Sequence, residues 1–83
     1  MVTKIEKYGA SWCGPCRVLD KTLEQIASDV VEIVKYDVDE DEERAAEKGI
    51  RNIPVLIFYA GDKEIKRITG AVPLGEILKV ING

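Results

Sequence analysis

Histidine is absent from the 83 residues, and that absence alone removes several chemistries. Neither a Ser-His-Asp nor a Cys-His nucleophile pair can be assembled. Cysteine is scarce as well: two residues cannot complete the usual four-ligand Cys/His zinc site within one chain, so no metal site is expected. No apolar run reaches the roughly 18 residues that span a bilayer, which excludes a membrane helix. The opening Met-Val-Thr-Lys-Ile-Glu-Lys lacks the apolar stretch of a secretory signal, so a cytoplasmic location is expected. Neither a P-loop nor a dinucleotide-type glycine loop occurs, so nothing points to a nucleotide pocket. With 12 basic against 15 acidic residues, the net charge of −3 disfavours nucleic-acid binding by phosphate neutralisation.

What remains is a globular composition, 46% hydrophobic and 33% charged, of a length that suits a single domain over residues 1–83. Ten isoleucines and nine valines favour strands. Val2 to Tyr8 reads as a strand, with Lys4, Glu6 and Lys7 as interruptions. After Gly9-Ala10-Ser11 a helical period begins, with Leu19, Leu23, Ile26 and Val30 on one face and Val18 and Ala27 beside them. Val31 to Val38 is a second strand. The acidic run Asp39 to Glu43 suits the cap and first turn of a helix, where carboxylates meet the positive end of the dipole, and Lys48-Gly49 ends that helix. Pro54 to Ala60 is an apolar strand buried on both faces. Ala60-Gly61-Asp62-Lys63 forms a turn into a charged edge strand, Glu64 to Thr69. Pro73 opens a last helix striped by Leu74, Ile77, Leu78 and Ile81. The order β-α-β-α-β-β-α implies an α/β fold: a four-stranded mixed sheet with a parallel βαβ unit, a terminal hairpin and helices on both faces. Both helical stripes face the sheet, so a monomer is expected.

The two cysteines stand at Cys13 and Cys16, after a strand and at the mouth of a helix. Three uses compete. A structural staple closing so small a ring contributes only about 2 kcal/mol. Half of a metal or iron–sulfur site would need a second chain. A redox dithiol is the use that the βαβ context favours. The helix N-terminus stabilises a thiolate on Cys13, whereas Cys16, one turn further in, lies on the same face and is less exposed. Cys13 is therefore the candidate nucleophile and Cys16 the resolving thiol. Gly14 leaves room for a partner, and Pro15 stiffens the pair in the first turn. Trp12 is either a core aromatic or an exposed contact platform beside the nucleophile, and its position favours the platform. Pro54 is either an ordinary strand-opening proline or the site of a cis bend after Ile53.

Trp12-Cys13-Gly14-Pro15-Cys16 resembles the active-site motif of thioredoxins. The stretches Lys48 to Val55, Lys35 to Asp39, Gly61, and Thr69-Gly70-Ala71 are similar to that family in order and spacing. The resemblance implies a minimal thioredoxin-like fold and a protein-disulfide reductase recharged by a thioredoxin reductase. No cofactor is implied beyond the redox-active Cys13-Cys16 disulfide. It also implies a cis peptide before Pro54, and a groove of Ile53, Pro54, Gly70 and Ala71 in which a partner's backbone pairs with Ile53.

Three departures stand out. Cys13 comes too early for the family's extra N-terminal strand and helix, a trimming that resembles glutaredoxins and small archaeal and phage redoxins. The aspartate usually found six residues before the first cysteine, regarded as proton acceptor for the inner thiol, is replaced by Lys7. Lys35 matches that aspartate's lysine partner, so two ammonium groups meet there. Lys7 either lies near Cys16 and favours its thiolate by charge, or extends to solvent. The proline usual five residues after the second cysteine is Lys21, which implies a straighter helix. Alternatives to the reductase are a glutathione-dependent, glutaredoxin-like enzyme, a dimeric iron–sulfur carrier bridged through Cys13, and a binding module that uses only the groove.

Overall fold

The computed structural model describes residues 1–26 and 29–83. Among these the elements run β1 (Lys4–Gly9), α1 (Gly14–Leu23), β2 (Glu32–Asp37), α2 (Glu42–Glu47), β3 (Val55–Ala60), β4 (Lys63–Thr69) and α3 (Leu74–Asn82). The order matches the sequence expectation. The strands lie β2-β1-β3-β4. β1 pairs with β2 in parallel, Lys7 opposite Lys35, and with β3 antiparallel, Lys7 opposite Leu56. β3 and β4 form the expected hairpin, turning at Gly61 with φ +62.

The alternation of side chains along the strands divides the interior into two layers. On one side Ile5, Leu56 and Phe58 pack against Leu19 and Leu23 of α1 and Ile77 of α3. On the other, Tyr8, Val55, Ile57 and Tyr59 are joined by Tyr36, Val38 and Ile50 on the side of α2. β3 is buried almost throughout, because it is central and covered on both faces. β4, at the sheet edge, is exposed nearly throughout and rich in charge.

The first helix corrects the sequence reading. The period carried the helix to Val30, but α1 ends at Leu23. Gln25 and Ile26 donate their N–H groups to Thr22 and Leu23, three residues back, which tightens and stops the helix. Val30 is 60% and Val18 59% exposed, so neither joins the core; Ala27 lies outside the described residues. The connection explains the early stop. Ten residues of helix rise about 15 Å. That already approaches the roughly 20 Å of a six-residue strand, and the chain must then return to start β2 beside Lys4. Ile26 and Val31, not Val30, supply the apolar contacts of that return. In α3 the stripe is buried at Ile77, half-buried at Leu74 and Ile81, and exposed at Leu78.

Candidate active site

β1 delivers the chain at Gly9 to a short turn, Ala10 to Trp12, that feeds α1. Cys13 is the N-cap residue of that helix, with extended φ −91 and ψ 111. Its Sγ accepts the backbone N–H of Cys16 at 3.2 Å. A sulfur thus occupies the place where capping oxygens usually meet the unpaired amides of a first turn. Cys13 and Cys16 are joined as a disulfide, their Cα atoms 5.3 Å apart. Cys16 is 1% exposed and Cys13 6%, so the outer sulfur is the more accessible. Pro15 sits in the first turn, where its missing N–H costs nothing. A Cβ added at Gly14 would meet nothing within 4 Å, so the space in front of the pair is open.

Three further segments converge on the cysteines. Ala10, Cys13 and Cys16 pack against Val38 and Ile53. The Ile53-Pro54 peptide is cis. The carbonyl of Pro54 accepts the N–H of Gly70 at 2.8 Å, and Gly70 has φ +101, a conformation that suits glycine. Ile53, Pro54 and Gly70 are therefore linked beside the disulfide, and exposed Ala71 follows. Trp12 is 66% exposed, and its indole N–H donates to Asp39 Oδ2 at 2.8 Å. It lies at the surface and is not a core aromatic.

Lys7 is buried, its side chain 7% exposed, so it does not extend to solvent. Its ammonium donates to Asp20 Oδ1 at 2.8 Å, and Lys35 Nζ lies 3.6 Å from the same oxygen. A Cβ built on Gly9 would lie 3.1 Å from Lys7 Nζ and 3.0 Å from Cys16 Sγ, so ammonium and sulfur flank one point. Asp20 was missed in the sequence. The available signal was its spacing, four residues beyond Cys16 and so on the same helical face.

A second charged group was also missed. Glu6, fully buried, accepts the hydroxyls of Tyr8 (2.9 Å) and Tyr59 (3.0 Å) and the guanidinium of Arg44 (2.5 Å). Burial pushes its carboxyl upward, but those hydrogen bonds and the Arg44 charge outweigh it and hold the group below its usual value. Burial and the adjacent carboxylate raise Tyr8 well above an ordinary phenol. The hydrogen bond from Glu6 likewise raises Arg44. This network ties α2 to β1 and β3 on the face away from the disulfide. The acidic run divides its work: Asp41 stands at the N-cap position of α2 without a side-chain capping bond, Glu42 and Glu43 fill the first turn, and Asp39 holds Trp12.

Among the described residues, no group of three or more His, Cys, Asp or Glu could hold a metal ion. No helix of those residues is long and apolar enough to cross a membrane.

Known proteins resemble this chain in sequence and in fold. The family model described as Thioredoxin matches residues 3–83. A thioredoxin of Chlorobaculum thiosulfatiphilum is 40% identical over 78 residues, which cover 90% of this chain and 72% of that protein. A chloroplastic M-type thioredoxin of Chlamydomonas reinhardtii is 38% identical over 77 residues, covering 89% of this chain. This chain spans only 55% of that relative's length. The thioredoxin of Fasciola hepatica superposes with a TM-score of 0.86 at 33% identity, over 95% of this chain and 77% of that one. A mutant thioredoxin of Halobacterium salinarum superposes at 0.89 with 28% identity, over 95% and 71%. The match runs along nearly the whole chain in sequence and in backbone. The chain belongs to the thioredoxin family of thiol-disulfide oxidoreductases.

Proposed function

We propose that this chain reduces disulfides of protein substrates by dithiol–disulfide exchange. The observation that carries the reading is the Cys13-Cys16 pair at the start of α1, with the outer sulfur as the helix cap. The aligned amides of the helix favour negative charge on Cys13. In the dithiol form the Cys13 thiolate attacks one sulfur of the partner's disulfide. The partner's S–S bond breaks, its first sulfur leaves as a thiolate and takes a proton from water, and a mixed disulfide remains. Cys16 then loses its proton and attacks Cys13 Sγ. The second partner sulfur departs with the electron pair and is protonated, and the Cys13-Cys16 bond forms. Two electrons pass to the partner in each cycle.

Around this pair, Gly14 leaves the approach open and Pro15 restrains the turn. Trp12 offers a contact face. Ile53, Pro54, Gly70 and Ala71 form a shallow groove where an extended partner segment pairs with the backbone at Ile53. Lys7 supports a Cys16 thiolate by its charge. A thioredoxin reductase restores the dithiol, no separate cofactor takes part, and the protein works as a cytoplasmic monomer.

Cys16→Ser tests the reading, since it removes the resolving thiol and leaves the mixed disulfide standing. Covalent complexes that reductant releases are the expected result, together with recharging of oxidised wild type by NADPH and thioredoxin reductase. A chain that traps no partner and reduces no protein disulfide overturns the reductase. Recharging by glutathione alone overturns the donor.

A further inference from the structure

The position behind Cys16 holds a cation where the family resemblance implies a carboxylate, and among the described residues the carboxylate bonded there comes from another element. Lys7 projects from β1 beneath α1, on the same face as Ile5 and Gly9. A buried ammonium needs a bonded partner. Among the described residues its ion-pair partner is Asp20, at 2.8 Å, on the helix face that also carries Cys16. Lys35, beside Lys7 in the β1–β2 register, reaches the same oxygen at 3.6 Å. Within this bonded set two ammonium groups share one carboxylate oxygen. Gly9 has no side chain to separate Lys7 Nζ from Cys16 Sγ. A cleft lined by Lys7, Gly9, Asp20 and Lys35 opens this cluster to water. Arg17 of α1, Asp37 of β2 and Glu40 and Asp41 of the following loop also face that cleft.

We propose that Asp20 is a positioning residue that sets the acidity of Cys16. It anchors the Lys7 ammonium behind the sulfur and moderates its charge, while that ammonium, which flanks Gly9 together with Cys16 Sγ, stabilises the Cys16 thiolate. This deepens the disulfide-exchange reading and rests on it. In the resolving step the Cys16 proton passes to water in the cleft. The freed sulfur attacks Cys13 Sγ, the bond from Cys13 to the partner breaks, and the partner's thiolate takes a proton from water.

The test measures ionisation of Cys16 as the only thiol, in a Cys13→Ser background, by thiolate absorbance against pH. Asp20→Asn removes the moderating charge and is expected to lower the midpoint by about one pH unit, a roughly tenfold gain in thiolate. Lys7→Gln is expected to raise it by a similar amount, and Lys35→Gln to raise it less. In the intact dithiol, Asp20→Asn is also expected to shift the equilibrium with glutathione towards reduced protein. A higher midpoint in Asp20→Asn shows that releasing Lys7 outweighs removing the carboxylate's charge, and overturns the moderating role. Unchanged midpoints in Asp20→Asn and Lys7→Gln make the pair a structural salt bridge and overturn it equally. Should Asp20→Asn not fold, Lys35→Gln decides, because it leaves the Lys7–Asp20 pair in place; an unshifted midpoint there sinks the idea. Wild-type reduction of a protein disulfide and trapping by Cys16→Ser report separately on the exchange reaction, so either can fail without the other.

Discussion

The indole N–H of Trp12 donates to the Asp39 carboxylate at 2.8 Å, tying the residue before the nucleophile to the loop after β2. Both groups are exposed, so the bond orients the ring more than it stabilises the fold. Asp39→Ala releases the ring. A hydrogen bond of this kind contributes about 0.5–1.5 kcal/mol. Reduction of a protein disulfide is expected to slow roughly two- to tenfold. Reduction of a small aromatic disulfide, which needs no platform, is expected to change less than about twofold. Equal slowing of both substrates would place the effect on the cysteines instead.

Gly9 is a packing requirement. An added methyl would meet Cys16 Sγ at 3.0 Å, Cys16 Cβ at 3.1 Å and Lys7 Nζ at 3.1 Å. Cys16 is held by its disulfide and Lys7 by Asp20, so neither yields easily. Gly9→Ala is expected to lower stability by about 1–3 kcal/mol, read from the denaturant midpoint. Gly14→Ala, where the methyl enters open space, serves as the control and is expected to lose far less.

Acid sensitivity follows from Glu6. Its carboxyl is held below the usual 4.5, so the folded state binds the proton less readily than the unfolded chain. The resulting stability is fully present above about pH 4.5 and is lost as the pH falls through the lowered folded value. Glu6→Gln also leaves Arg44 without its anion, and is expected to cost about 1.5–3 kcal/mol at neutral pH. The difference between wild type and variant should shrink between pH 5 and pH 3. A pH-independent difference would show that the charge contributes nothing.

Gly70 combines φ +101 with the hydrogen bond to Pro54. A side chain there is strained by about 1–3 kcal/mol. Gly70→Ala is expected to shift the segment that borders the groove, raising KM for a protein disulfide several-fold while the alkylation rate of Cys13 stays near wild type. A drop in Cys13 reactivity without a change in KM would move the role of Gly70 from groove to nucleophile.

Most of the architecture was legible in the residues because its signals are local. The apolar run from Pro54 to Ala60, the Gly61 turn and the Lys48-Gly49 stop each act within a few positions, and each element formed within a residue of where they stand. The cysteine motif is equally local, since four residues of a helix start suffice to bring two sulfurs together. The end of α1 was not legible. Val30 continued the helical period by coincidence of spacing, while the helix ends at Leu23 and closes with bonds three residues back.

Charged residues divide along the same line. Chain order and the periods of apolar residues settled the sheet, the helices and the position of the cysteine pair, because backbone geometry couples neighbours a few residues apart. The partners of Glu6 and Lys7 were decided only when strand register and helix packing brought distant segments together. Tyr59 lies 53 positions from Glu6, and Asp20 lies 13 from Lys7. Burial is the physical reason: once β1 is covered on both faces, an interior charge must bond to whichever group the fold presents, and nothing beside it in the chain names that group.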